Sequence, residues 1–238
     1  MIDLFFMTSP NVYKVTIALE EMGLPFTLHP VDISKGEHLD PGRIAGAFSP
    51  KLPVIRDNCP SDDGEPLVIF ESGAILEYLA EKSGRFLPTE LRARQEVKQW
   101  LYWQMAGFGP MGGQQWHFNR WAPRIDSQGD HSYALGRFTN IWAGLWSLMD
   151  QRLADREFLG GDYSIADMAC FPWTIYMQPK GGPDAYPNVV RWINTIAERP
   201  AVKNAYAKGL AVDMGYERND LGTAIFPQEG LLRHVIIR

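Results

Sequence analysis

Short apolar runs alternate with helix-spaced patterns over the first third of the chain, and helical spacing governs most of the remainder. Residues 2–6, 28–31, 54–56 and 67–70 are brief, rich in β-branched and aromatic side chains, and read as strands. Between the first two, residues 12–22 place Val15, Leu19 and Met22 on one face and close at Gly23, the pattern of a helix with a glycine stop. A second helix follows Ser72 and groups Ile75, Leu76 and Leu79. Strand, helix, strand, a connection, then two nearby strands and a helix describe a small α/β unit with an antiparallel edge hairpin. The hairpin loop, 58–65, is long and polar, which predicts an exposed Cys59.

From about residue 89 the spacing is helical. Residues 91–105 carry Trp100, Tyr102 and Trp103, and the glycine- and proline-rich run 107–113 is expected to break or kink that helix. Residues 132–153 form another long helix. Ser164 and Asp167 are spaced as a capping box that opens a third. A further helix over about 188–199 ends before Pro200. Beyond about residue 211 comes a tail that is still apolar at Phe226, Leu231, Leu232, Val235 and Ile236.

Composition narrows the function classes. A chain of 238 residues suffices for one large or two small domains. The formal charge of −5, with no Lys/Arg-rich run, argues against nucleic acid or an anionic membrane as partner. The first residues lack a basic, long-apolar leader pattern, and no apolar run reaches membrane-spanning length, so the cytoplasm is the expected setting. Cys59 and Cys170 form neither a CxxC pair nor a zinc spacing, and no metal is expected.

Two motifs carry chemistry. Ser49-Pro50-Lys51-Leu52-Pro53 leads into a strand, and a proline before a buried strand is often cis, which turns the backbone of the preceding Leu52 toward a ligand. Glu71-Ser72 stands where a strand passes into a helix, placing a carboxylate beside helix-start N–H groups, a cradle for a small zwitterion. Taken singly, Ser72 could be an N-cap, Lys51 a solvated charge and Pro53 a turn former. Together they point to a site for an extended, peptide-like molecule.

With Ser164-Ile165-Ala166-Asp167 in the helical half, these motifs resemble the glutathione transferase superfamily over nearly the whole chain to about residue 210. The start, Met1 to Asn11, is similar to the nu class and its fungal nitrogen-regulator relatives, as are Glu65-Pro66-Leu67, Gly109-Pro110-Met111 and His117-Phe118-Asn119. The resemblance implies an α/β plus all-α fold: a thioredoxin-like domain over 1–86, an all-helical domain over 92–210 and a tail over 211–238. It also implies a glutathione-dependent disulfide reductase with weak conjugating activity, working as a homodimer. Glutathione would be the co-substrate, and a disulfide or an electrophilic small molecule its partner. Glu71 would take the γ-glutamyl ammonium and Ser72 the γ-glutamyl carboxylate. Leu52, before Pro53, would pair with the cysteinyl amide. Lys51, helped by His38, would meet the glycine carboxylate, and Arg137 would reach a glutathione carboxylate across the dimer. The family usually has two more residues between the Ser-Pro pair and this lysine; here Lys51 follows Pro50 directly.

The thiol end sets the mechanism. Phe5 and Phe6 offer no hydroxyl where many transferases carry a tyrosine, which leaves the turn Thr8, Ser9 and Asn11. By resemblance Ser9 and Asn11 are the thiolate neighbours, and Thr8 lines up with the serine of other classes; helix capping is the competing role for all three. No cysteine lies in this turn, so both attacking sulfurs in a disulfide reduction would come from glutathione. The wall of a site wide enough for two glutathiones would draw on Trp103, Phe108, Met111, Gln114, Trp116, His117, Asn119 and Trp121, although bundle aromatics are more often core. Two alternatives stay open: conjugation of electrophiles by the same thiolate, and a non-catalytic binding or regulatory protein on this scaffold.

Overall fold

The computed structural model describes residues 1–180 and 182–212, with the backbone of 217–218 and 224–225. Met1–Arg85 together with the chain from Arg199 forms one compact unit, and Phe86–Glu198 forms a second.

The first unit is built on strands β1 (Ile2–Phe6), β2 (Phe26–Pro30), β3 (Val54–Asp57) and β4 (Leu67–Phe70), in the spatial order β2-β1-β3-β4. β1 and β2 run parallel; β1–β3 and β3–β4 are antiparallel. Ile2, Leu4 and Phe6 are buried while Asp3 and Phe5 are only partly covered, the period-two signature of a strand with one face in a core. Helix α1 (Pro10–Met22) begins with Ser9 as N-cap and Pro10 in its first turn, and stops at Gly23 with φ +67°, where only glycine is unstrained. Helix α2 (Ser72–Ser83) ends in the same way at Gly84. Each fully buried Leu or Ile here contributes about 1.5–3 kcal/mol, and Leu19, Ile75, Leu76 and Leu79 are all wholly covered.

One helix departs from expectation. The sequence pattern carries the helical domain to residue 210 with no separate helix after Pro200; α9 (Pro200–Ala211) is present and packs on α1 in the first unit. Tyr206 stacks on Tyr13 with ring centroids 4.3 Å apart, and Gly209 approaches so closely that a Cβ would sit 2.4 Å from the Tyr13 hydroxyl. Arg199 bonds Glu21 through Nε at 2.5 Å and Nη2 at 2.9 Å, and Lys208 pairs with Glu20. Covered on so many sides, α1 is buried nearly all round, its Lys14, Thr16 and Glu21 included. Expectations for the tail fall largely outside the described residues; within it Glu217–Arg218 pairs antiparallel with Ala224–Ile225.

In the second unit, α3 (Leu91–Trp103) does not break at the glycine-rich run. The chain stays helical through a π turn (Gln104–Phe108), α4 (Gly109–Trp116), a second π turn (His117–Trp121) and the short α5 (Ala122–Ile125). Two circumstances remove the expected break. Pro110 falls in the first turn of α4, where a missing N–H costs little. Gly112 lets α4 lie against Trp142, since a Cβ there would come within 2.8 Å of the indole. Helices α6 (Ser132–Arg152), α7 (Ile165–Tyr176) and α8 (Pro187–Ala197) complete the unit around buried Leu101, Phe108, Trp142, Trp146, Met168 and Trp192. Among the described residues no helix is long and apolar enough to cross a membrane.

Candidate active site at one end of the sheet

Sheet register decides what meets. Phe6 lies opposite Pro30, Phe5 opposite Val54, and Val54 opposite Phe70. The chain leaving β1, leaving β2, entering β3 and leaving β4 therefore emerges at a single end of the sheet. Those four connections hold Thr8, Ser9 and Asn11, then His38, then Lys51, Leu52 and Pro53, then Glu71 and Ser72. Nine of the ten residues expected to bind glutathione or its thiolate thus lie on connections at this end. Arg137 belongs to the other unit, exposed on α6 beside a shallow hollow of about 500 Å³ that it lines with Ser132, Tyr133, Gly136, Asn140 and Ile141.

The Leu52–Pro53 peptide is cis. Pro53 is buried and Leu52 half-buried, and β3 pairing begins only at Val54. Lys51 is exposed, its N–H bonding Ser49 Oγ at 3.4 Å. His38 sits buried in a short 3₁₀ turn, Glu37–Leu39.

Glu71 is the N-cap of α2 with φ +69° and ψ 114°, a backbone region that costs a non-glycine residue about 1–3 kcal/mol. Its carboxylate makes no capping bond and is exposed, so the strain is not offset by a local cap. Ser72, by contrast, is buried, and its Oγ accepts a hydrogen bond from Lys14 Nζ at 3.3 Å. The sequence reading missed Lys14. A signal was present: Val12, Tyr13, Val15, Ile17, Ala18 and Leu19 leave that stretch of α1 no polar face, so its lysine had to be enclosed.

At the start of α1, Ser9 Oγ accepts from the Val12 N–H at 3.4 Å, and the Ser9 carbonyl accepts from Tyr13 N–H at 3.0 Å. Capping and thiolate binding are therefore compatible for Ser9, because a hydroxyl that accepts one bond keeps its proton to donate. Thr8 is 4 % exposed, and its Oγ1 has no hydrogen-bond partner among the described residues. Asn11 is half-buried in the first turn of α1, where the helix dipole favours negative charge.

The cysteines lie elsewhere. Asp57 pairs with Ile2 and Leu67, which puts the β3–β4 loop and its exposed Cys59 at the opposite end of the sheet. Burial pulls the Asp57 carboxyl upward, but Lys82, Tyr78 and the Cys59 N–H outweigh it and hold its pKa below the usual value. Cys170 is wholly buried in α7. Of the helical-unit aromatics, Phe108 is core, tilted on Trp142 at 4.5 Å between centroids, and offers no wall. Trp103, Met111, Trp116, His117 and Trp121 are half-buried, and Gln114 and Asn119 exposed.

Family models for the glutathione S-transferase N-terminal domain and C-terminal domain match residues 8–82 and 132–195. The chain is 43 % identical over 222 residues to the disulfide-bond oxidoreductase YfcG of Escherichia coli, covering 92 % of this chain and all of the relative. The chain belongs to the glutathione S-transferase family. Its thioredoxin-like sheet unit and helical unit are the family's fold. Among solved structures, a family member from Pseudomonas fluorescens with two glutathione bound has a TM-score of 0.78 at 38 % identity, covering 86 % of this chain and 91 % of that one. A glutathione transferase from Pseudomonas putida with one glutathione disulfide bound per subunit has a TM-score of 0.77 at 34 % identity, covering 86 % and 90 %.

Proposed function

We propose that this protein reduces small or mixed disulfides with glutathione as co-substrate, the glutathione thiolate being the attacking sulfur. One observation carries the reading: groups suited to clamp an extended tripeptide share one end of the sheet with a helix start that has no cysteine. Glu71 takes the γ-glutamyl ammonium, and Ser72 with the α2 N-terminus its carboxylate. The Leu52 backbone, before cis-Pro53, pairs with the cysteinyl residue as an added strand. Lys51 and His38 serve the glycine carboxylate.

Thr8, Ser9 and Asn11 then face the sulfur. A free thiol with pKa about 8.5 is roughly 3 % ionised at pH 7, and lowering it one unit gives roughly 24 % for about 1.4 kcal/mol of thiolate stabilisation. One or two hydrogen bonds at a helix start suffice. The first thiolate attacks one disulfide sulfur, forms a mixed disulfide with glutathione and expels a substrate thiolate. A second glutathione thiolate attacks the glutathione sulfur of that mixed disulfide and expels the other substrate thiolate. Net, one disulfide and two glutathiones become two thiols and glutathione disulfide. The two glutathiones, or the glutathione disulfide, in the solved relatives match the two sulfurs this scheme needs. A cytoplasmic homodimer belongs to the same reading, with Arg137 of one subunit serving glutathione held by the other; Leu91, Tyr102 and Tyr133 are exposed apolar side chains such an interface would use.

Paired assays test it: bis(2-hydroxyethyl) disulfide against an activated aryl halide, both with glutathione. Disulfide turnover should dominate, and Asn11→Ala should lower it at least tenfold while glutathione affinity changes by a small factor. Conjugation faster by orders of magnitude would reassign the reaction, and unchanged kinetics in Asn11→Ala would remove that residue.

A further inference from the structure

Lys14 is 1 % exposed, enclosed on α1 between neighbours that are themselves buried. Taking an ammonium out of water is costly unless its hydrogens find acceptors, and a Leu or Met would fill the same space without that cost. One acceptor is Ser72 Oγ at 3.3 Å, fifty-eight residues on in sequence, at the first position of α2. An ammonium carries three hydrogens and no lone pair, so toward Lys14 the serine oxygen can only accept. The serine's own proton is thereby directed away from Lys14. The hydroxyl keeps one lone pair, but its proton is held on the side away from the ammonium.

We infer that Lys14 is a positioning residue for the γ-glutamyl end of glutathione. It touches no ligand. It turns the Ser72 proton toward the γ-glutamyl carboxylate and sets a buried positive charge behind the helix start that receives that carboxylate, where low polarity strengthens the attraction. The inference rests on the glutathione site proposed above. It deepens that reading by making recognition of this one carboxylate depend on a residue of α1, the helix whose N-terminus would hold the sulfur.

The test compares calorimetric binding of glutathione with that of 4-aminobutyryl-cysteinyl-glycine, which lacks only the γ-glutamyl carboxylate. The wild-type protein should prefer glutathione at least tenfold. Lys14→Met should lose most of that preference, Ser72→Ala should do the same, and the double variant should be no worse than either. Lys14→Arg, another donor-only cation, should restore part of it. In turnover, Lys14→Met should raise KM for glutathione by more than it lowers kcat. Full preference in Lys14→Met, or losses that multiply in the double variant, would overturn the inference. Should Lys14→Met not fold, the lysine Nζ resonance of wild-type protein labelled with ¹⁵N gives the answer. It should shift with glutathione and much less with the analogue; equal shifts sink the idea. Wild-type protein that binds both compounds equally keeps the glutathione site and removes the role of Lys14, whereas binding neither removes the site itself.

Discussion

Two helix starts in this chain join a serine to an acid, and they end in opposite states. At α7 every acceptor is used. Asp167 accepts from Leu159 N–H at 3.0 Å, Ser164 N–H at 3.0 Å, Ser164 Oγ at 3.1 Å and Trp192 Nε1 at 2.9 Å, while Ser164 Oγ accepts from Ala166 N–H. The acid is wholly buried. At α2 the acid, Glu71, is exposed, makes no capping bond and holds φ +69°, and the serine accepts from a buried lysine. A polar group that the fold has satisfied maintains the fold. One held in a strained backbone with its carboxylate presented outward is kept for something else. The same residue pair thus separates a structural keystone from a binding site by whether its acid is enclosed and hydrogen-bonded or exposed and uncapped.

The contrast can be broken most forcefully at Asp167. Asp167→Ala leaves four buried donors without their acceptor and should destabilise the protein by about 3–5 kcal/mol in urea titration; a loss under about 1 kcal/mol would mean that this cap is dispensable. The next effect is pH-dependent. Burial pushes the Asp167 carboxyl up to about 6, only partly countered by its donors, against 3.8 when unfolded. Between these values the folded state binds the proton and the unfolded state does not. Its contribution is fully present below about pH 4 and fades as pH rises through 6, by up to about 3 kcal/mol. The stability difference between wild type and Asp167→Asn should shrink accordingly from pH 4 to 7, and a flat difference would assign Asp167 an ordinary pKa. Smallest in stability, and sharpest in contrast, is Glu71. Glu71→Gly should relieve the positive φ and stabilise by up to about 1 kcal/mol, while glutathione binding weakens at least tenfold, as it also should in Glu71→Ala. Unaltered binding in both variants would make α2 as purely structural as α7.

Local chemistry explains which parts were readable. Strand 67–70, the helix after Ser72, the capping box at Ser164 and the helix closing at Gly23 all follow from residues within a few positions of one another, and they stand where expected. The glycine-rich run at 107–113 carries strong breaking signals, but packing overrode them: Gly112 is there for the approach of Trp142, and a π turn precedes Pro110. Helix α9 is not among the expected elements, and nothing within it says that Gly209 must fit Tyr13.

Residue order alone thus pointed to the family, to most element types and to nine candidate residues that the fold brings to one sheet end, because a strand-to-helix junction, a proline before a strand and an absent cysteine are properties of short stretches. Tertiary structure alone decided that Ser72 meets Lys14, that Thr8 Oγ1 is buried without a partner among the described residues, and that Phe108 belongs to a core. Those outcomes depend on which distant surfaces exclude water from a side chain, and a linear pattern does not specify that exclusion.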